Sequence, residues 1–140
     1  MTMNADFLDA HERHLTDADF LHTNSFWANA DHLYGMAAEC GLKRLMQVFG
    51  MPLDLATGSP QQQADRVHAD GVWARFESYR SGHHQGAGYV LSALSPFGDW
   101  HVSQRYAHRS NFNQARADSH RVGANVVRTM IQKARFEGLC

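Results

Sequence analysis

Hydrophobic residues recur along this chain at the three- and four-residue spacing of amphipathic α-helices. The clearest stripe spans residues 26–49 and is wide, which predicts a central helix packed on more than one side. Asn24 or Ser25 is expected to cap its start by accepting a backbone hydrogen bond. Gly50, followed by Pro52, is expected to end it.

Similar spacing predicts three further helices, over residues 5–21, over residues 61–79 and from residue 110 or 111 to 136. The expected buried face of the last helix consists of Phe112, Ala115, Ser119, Val122, Gly123, Val126, Met130 and Ala134. Residues 81–106 show no regular period. The fold class predicted is therefore all-α, a single domain over residues 1–140, with four main helices and an irregular segment before the last one.

Composition is consistent with one soluble domain. The chain has 140 residues, of which 44% are hydrophobic and 19% charged, so it can form a core and is not expected to be disordered. Its two cysteines, Cys40 and Cys140, form no disulfide framework, which favours a reducing compartment. We find no apolar run of ~18 residues and no signal-peptide pattern at the start, so a cytoplasmic protein without a membrane partner is expected.

The near-neutral net charge of −1 conceals a strong polarity along the chain. Residues 1–70 contain four basic and ten acidic side chains, a net of −6, whereas residues 71–140 contain nine basic and four acidic ones, a net of +5. A polyanion partner such as RNA is therefore compatible with the sequence.

Basic side chains concentrate around the start of the last helix, and we expect them to be the functional ones. The candidates for phosphate binding are Arg105, Arg109, Arg116 and Arg121. The candidates for proton transfer and charge stabilisation, if the protein cleaves a phosphodiester, are His108, His120 and Arg116. Alternatively, these side chains form a solvated helix face whose arginines pair with the acidic first helix.

Metal and aromatic patterns favour structural interpretations. The segment His11-Glu12-Arg13-His14 is one residue short of the zinc-binding H-E-x-x-H spacing. The spacing of the other histidines selects no set of three ligands, so neither a metal nor a cofactor is expected.

A set of aromatic residues could stack bases, but its helical spacing favours a core or a dimer interface. The set is Phe26, Trp27, Tyr34, Trp73, Phe76 and Trp100.

Residues 18–46 resemble the first two helices of HEPN domains, the nucleotide-binding helical bundles of higher eukaryotes and prokaryotes. The residues that match the family's pattern on the long helix are Ala30, Tyr34, Glu39, Leu42 and Lys43. Arg105-Tyr106 resembles the pair that often precedes the last helix in that family. The resemblance implies a helical bundle that dimerises and acts on RNA or nucleotides.

Many HEPN domains are metal-independent ribonucleases with an R-x4–6-H motif in the last helix, and this chain departs from that pattern. Arg116 and His120 are separated by three residues, and Arg105 and His108 by two. We therefore expect a homodimer that binds RNA or a nucleotide through its basic last helix, and enzymatic activity only through an atypical site. The alternatives are a non-catalytic module that docks on a small protein partner, as in toxin–antitoxin pairs, and a metal-binding bundle enzyme.

Overall fold

The computed structural model describes residues 3–140 and contains four α-helices. They are α1 (Phe7–Thr23), α2 (Trp27–Val48), α3 (Ala69–Arg80) and α4 (Gln114–Phe136). Between α3 and α4 the chain forms only short 3-10 turns and irregular structure. The predicted all-α bundle with an irregular segment before the last helix is thus confirmed. Within residues 3–140, no helix combines the length and the apolarity needed to cross a bilayer.

Helix α2 lies at the centre, as its wide apolar stripe predicts, and packs against α1, α3 and α4. Helices α1 and α4 run antiparallel, since Glu12 of α1 pairs with Arg135 of α4 whereas Asp19 pairs with Arg121. Among the large side chains in the core are Tyr34, Leu42, Leu45, Met46, Phe76, Tyr89, Phe97, Trp100 and Val127.

The expected side-chain cap of α2 is wrong. Phe26 occupies the N-cap position, and no side chain caps the helix. Asn24 instead closes the end of α1, where its side-chain amide donates to the Phe20 carbonyl at 2.8 Å. Ser25 has a φ of +64°, and this left-handed residue reverses the chain between the two helices.

Helix α3 begins at Ala69 rather than near residue 61. The preceding residues are held in a turn by the antiparallel bridge between Leu53 and Pro60, and a 3-10 turn follows at Gln63–Asp65. Asp65 is completely buried, because Arg75 Nε and the Tyr79 hydroxyl of α3 both bind its carboxylate. These bonds hold the segment against α3 and prevent its continuation as helix.

Helix α4 begins at Gln114 with Asn113 as its cap, and the predicted buried face is right for only half of its residues. Phe112, Gly123, Met130 and Ala134 are buried as expected. Ala115, Ser119, Val122 and Val126 are exposed. The buried side chains are Ala117, His120, Gly123, Ala124, Val127, Met130, Ile131 and Ala134. The predicted buried face leaves His120 out because apolar spacing does not include a histidine. In the structure the carboxylates of Asp31 and Asp99 bind its ring and allow its burial.

Close approach of loop and helix depends on Gly35 of α2. The Trp100 indole lies directly over this residue, and a Cβ added there would be 2.1 Å from Trp100 Nε1. The Trp100 ring also stacks on His32, with ring centroids 5.4 Å apart. Gly35 thereby allows the irregular segment to pack on the central helix.

Candidate functional site

His120 of α4 lies in the interior between two carboxylates. Its Nδ1 is 2.7 Å from Asp31 Oδ2 on α2, and its Nε2 is 2.7 Å from Asp99 Oδ1 in the segment before α4. His120 and Asp31 are both fully buried. Because each ring nitrogen faces an acceptor, both carry a proton and the side chain is an imidazolium.

The two carboxylates also set the titration behaviour of His120. Burial acts to lower the pKa of His120, but the hydrogen bonds and negative charges of Asp31 and Asp99 outweigh it, so the pKa is raised above its usual value. Partial burial acts to raise the pKa of Asp99. The hydrogen bond from His120 and the charge of Arg116 outweigh this, and the pKa of Asp99 is lowered.

Arg116 lies one helical turn before His120 and joins the same group. Its guanidinium is 3.0 Å from Asp99 Oδ2 and 3.5 Å from Asp31 Oδ2. The side-chain amide of Gln104 donates to Asp31 Oδ1. We call these five residues the interior polar cluster. Its two carboxylates and two cations balance, as buried charges require.

The interior polar cluster fastens the irregular segment to α2 and α4. A general base needs a free nitrogen within hydrogen-bond reach of its substrate, and both nitrogens of His120 are engaged. Asp99 and Arg116 form the edge of the cluster that solvent reaches, with side chains 61% and 25% exposed. In this arrangement, the cluster's chemistry is that of a structural ion network.

The remaining predicted site residues before α4 lie outside the cluster, at the surface. Arg105 places its guanidinium 5.0 Å from the ring centroid of Tyr106. His108 accepts the Ser110 amide in a short turn. Within residues 3–140, neither Arg105 nor Arg109 forms an ion pair. The structure therefore unites Arg116 with His120 and separates both from His108.

The alternative interpretation, pairing of the basic last helix with the acidic first helix, is confirmed for one of the predicted arginines, Arg121. Arg135, outside the predicted set, pairs with α1 as well. Arg121 lies 3.6 Å from Asp19, and Arg135 pairs with Glu12. Arg121 is thus already paired with an acid, like Arg116. Of the four arginines predicted to bind phosphate, Arg105 and Arg109 are the two that have no carboxylate partner in the described part of the chain.

Next to the interior polar cluster, a cavity of about 530 Å³ opens at the start of α2. Phe26, Trp27 and Phe112 form its aromatic walls, and Arg109 also lines it. The Phe112 ring lies 5.6 Å from the guanidinium of Arg116, which connects the cavity to the cluster. We call it the aromatic cavity.

The aromatic cavity also contains the uncapped end of a long helix. Ala28 and Asn29, in the first turn of α2, line it. The first-turn amides of a helix have no intrahelical acceptor, and Phe26 at the N-cap offers none from its side chain. Aromatic faces, an arginine and free helix amides therefore meet at one concave surface.

Sequence reasoning missed Asp31, and Phe26, one of the aromatic residues predicted for a core or a dimer interface, lies outside the core. Asp31 lies inside the apolar stripe of α2, between Ala30 and Tyr34, and an acid on such a face requires a buried cation. The position of Asp31 in the sequence therefore indicates a buried cationic partner, but it does not identify His120 or Arg116 as that partner. The expectation of a core position is confirmed for Tyr34, but Phe26 is 59% exposed.

The histidines of α1 that suggested a metal motif are not arranged as ligands. His11 is buried, and its Nδ1 donates to the Ala37 carbonyl at 2.7 Å. His14 is half-buried on the same helix. Across residues 3–140, no group of three or more His, Cys, Asp or Glu side chains is placed to hold a metal ion.

Comparison of the chain with protein-family models, curated proteins and solved structures finds no match. The resemblance to HEPN domains therefore rests on the residues quoted above and stays a prediction. In the structure Ala30, Tyr34, Glu39, Leu42 and Lys43 lie on α2 and are buried, and the Tyr34 hydroxyl donates to Asp19 of α1 at 2.7 Å. Arg105 and Tyr106, the other residues of the resemblance, are exposed.

Proposed function

We propose that this protein binds RNA or a free nucleotide in the aromatic cavity, without cleaving it. The observation that carries the proposal is the meeting of Trp27, Phe26 and Phe112 with Arg109 around one cavity of about 530 Å³. That volume is in the range of ligand sites. Aromatic faces stack nucleobases of any sequence, and an arginine pairs with phosphate.

The start of α2 supports the placement of a phosphate. Amide groups at a helix N-terminus, together with the helix dipole, favour an anion. Ala28 and Asn29 contribute such amides within the cavity that Arg109 lines. A phosphate held by Arg109 and these amides leaves the attached base to stack on Trp27 or Phe112. Arg105, exposed and without a carboxylate partner, supplies positive charge for the next phosphate of an RNA strand.

Binding without cleavage follows from the state of His120. A 2′-hydroxyl attack needs a base that touches the hydroxyl, and His120 is fully buried with both nitrogens bound to carboxylates. His108, although exposed, has no carboxylate or arginine hydrogen-bonded to its ring in the described residues. We expect no ribonuclease activity in purified protein.

Titration of the intrinsic tryptophan fluorescence with AMP and with a short single-stranded RNA tests the proposal. Stacking on Trp27 should quench emission, and Arg109→Gln should weaken the affinity at least about tenfold because a charge-assisted phosphate contact is lost. The matched control is Arg128→Gln, which removes the same charge from an exposed position of α4.

The two ligands distinguish the forms of the proposal. Saturation by AMP alone identifies a nucleotide site, whereas RNA that binds much more tightly and weakens steeply with salt identifies a strand-binding surface. The proposal is wrong if neither ligand binds at low salt, or if Arg109→Gln and Arg128→Gln have equal effects.

A second candidate function, docking of a protein partner or of a second copy, is favoured by the exposed face of α4. Val122 is 65% exposed and Val126 41%, four residues apart on a helix that buries apolar residues on its other side. Analytical ultracentrifugation of the protein and of the Val122→Lys/Val126→Lys variant tests this. A dimer that the variant dissociates supports docking through α4, and a monomeric wild-type protein removes the homodimer from consideration.

A further inference from the structure

A second cleft lies between α2 and the loop that precedes α3, far from the aromatic cavity. The bridge between Leu53 and Pro60 closes this loop, and the Ala5 amide anchors it by donating to the Thr57 carbonyl at 2.7 Å. Between the loop and α2 remains a cavity of about 590 Å³. We call it the loop cleft. Lys43 in this cleft and Ala28 in the aromatic cavity are ~22 Å apart along α2 at ~1.5 Å per residue.

Basic side chains gather around the loop cleft although this half of the chain is strongly acidic. Residues 1–70 have a net charge of −6 and only four lysines and arginines. Lys43 and Arg66 line the loop cleft together with His68, and Arg44 lines an adjoining cavity of about 360 Å³. Three of the four cations therefore converge on one region, and the fourth, Arg13, lies on α1 beside Asp9.

The ammonium of Lys43 has donors to spare. Its side chain is 8% exposed, and among the described residues its hydrogen-bond partner is Glu39 Oε2 at 3.0 Å. An ammonium has three N–H donors, so two are left. The other oxygen of Glu39 is bound by His68 Nδ1 at 3.1 Å, so this carboxylate has no oxygen free.

A further unpaired donor lies on the other side of Phe7, the residue that lines both cavities. Arg44 Nε is buried and has no hydrogen-bond partner within residues 3–140. Buried donors without acceptors cost free energy, and native proteins leave few of them. Together with the spare donors of Lys43, this atom indicates a region built for an acceptor that the chain itself does not supply.

The geometry points to a binding site for a small oxyanion, a phosphate or carboxylate group attached to a compact apolar body. Lys43 and Arg66 pair with the anion, and Phe7 packs against the apolar part. The hydroxyls of Thr57 and Ser59 line the same cleft and donate to further oxygens.

One acid also lines the loop cleft, and the loop itself engages it. Asp54 Oδ1 accepts the Ala56 amide at 2.8 Å, which holds the carboxylate in the turn. Glu39 compensates Lys43 when the cleft is empty. The net attraction for an anion then depends chiefly on Arg66, which is also the more accessible of the two cations that line the cleft.

Isothermal titration of the full chain with phenyl phosphate, inorganic phosphate and benzoate tests the inference. Phenyl phosphate also fits the aromatic cavity, so the titrations are made in the Arg109→Gln background. There we expect one saturable site, tighter for phenyl phosphate than for inorganic phosphate because Phe7 contacts the ring. Benzoate separates the two oxyanions: tighter binding of benzoate than of phenyl phosphate identifies a carboxylate ligand, and the reverse identifies a phosphate ester.

The variants are chosen so that folding is retained. Arg66→Gln alters an accessible side chain and should weaken binding by at least about tenfold. Lys43→Met alone would leave Glu39 buried beside His68 without its cation, so the double variant Glu39→Gln/Lys43→Met tests the lysine. Arg13→Gln, which removes the remaining cation of this half, is the matched control.

Two outcomes would overturn the inference. In the first, none of the three probes binds saturably up to about 10 mM, a concentration that detects even millimolar affinity. In the second, Arg13→Gln weakens binding as much as Arg66→Gln, which would show general charge attraction. The Arg109→Gln background keeps the test independent of the aromatic cavity, so its failure is distinguishable from failure of the proposed nucleotide site.

Discussion

The imidazole Nδ1 of His120 and the carboxylate Oδ2 of Asp31 are 2.7 Å apart, and both side chains are fully buried. Asp31 lies on α2 and His120 on α4, 89 residues apart in sequence, so this contact helps to join the two helices. Asp99 binds the opposite ring nitrogen, so the histidine has a carboxylate on each side. Asp31 and His120 both lie on apolar helix faces, and each needs the other as a buried partner.

Removal of the Asp31 charge should destabilise the protein strongly. In Asp31→Ala, His120 and Arg116 lose a buried anion, and breaking such a pair costs about 3–5 kcal/mol. The free energy of unfolding, measured by urea denaturation, checks this value. The control is Asp118→Ala, because Asp118 pairs with His22 on the surface and its side chain is 49% exposed. There the loss should be below ~1 kcal/mol, and similar losses in both variants would contradict the assigned role of Asp31.

The same cluster predicts how stability changes with pH. The pKa of His120 is raised in the folded state, so its contribution is complete below the unfolded value of 6.5 and is lost as pH rises through the folded pKa. The pKa of Asp99 is lowered, so its contribution is complete above the unfolded value of 3.8 and is lost as pH falls through the folded pKa. The cluster therefore stabilises most between these two unfolded values.

Other histidines act in the opposite direction, and the experiment has to separate them. Burial lowers the pKa of His11, His14 and His32, so their contribution is complete above 6.5 and is lost as pH falls below that value. We therefore compare unfolding free energies of the wild-type protein and His120→Asn at each pH. The difference should shrink as pH rises above 6.5, and a difference independent of pH would show that His120 is not charged in the fold.

Gly35 should resist even the smallest substitution. A Cβ at this position would lie 2.1 Å from Trp100 Nε1, so Gly35→Ala must displace the indole from its stack on His32. We expect a loss of roughly 1–3 kcal/mol from overpacking, although alanine favours helix. Gly71→Ala in α3 is the control, because its nearest neighbour would be Val67 Cβ at an ordinary 3.4 Å.

Thermal denaturation distinguishes the two glycine variants. Gly71→Ala should leave the melting temperature unchanged or raise it, since helix propensity improves by up to ~1 kcal/mol. Equal melting temperatures for the two variants would mean that Trp100 adapts without cost, and the packing role of Gly35 would be wrong.

How much the sequence predicted depends on the type of residue at each position. The period of apolar residues was enough for α2, because Ala30, Tyr34 and Leu42 are apolar and buried alike. The same pattern was only partly right for α4, because it placed Val122 in the core and left His120 out of it. In the structure Val122 is exposed and His120 is buried. A valine prefers the core only when no stronger requirement exists, and an imidazolium between two carboxylates is such a requirement.

The candidate sites were less accessible to sequence reasoning, because they combine residues from distant segments. Arg109 was predicted as a phosphate ligand, but its aromatic neighbours Phe26 and Trp27 come from the start of α2. Glu39 and Lys43 form an i,i+4 ion pair, which usually lies on the solvated face of a helix. Here both side chains are buried under the loop. Nothing local to residue 43 indicates that Arg66 and His68 fold back over it.

The two cysteines should differ sharply in reactivity. Burial raises the pKa of the Cys40 thiol to about 12, and Cys40 lies on the buried face of α2, whereas Cys140 is partly exposed near the end of α4. The thiolate is the reactive form, so at pH 8 only ~1 in 10⁴ of the Cys40 side chains is reactive, even before burial restricts access. Ellman's reagent should therefore titrate one thiol rapidly in the folded protein and two in guanidinium chloride. In Cys140→Ser the rapid phase should disappear, and rapid reaction of both thiols in the folded protein would mean that α2 does not shield Cys40.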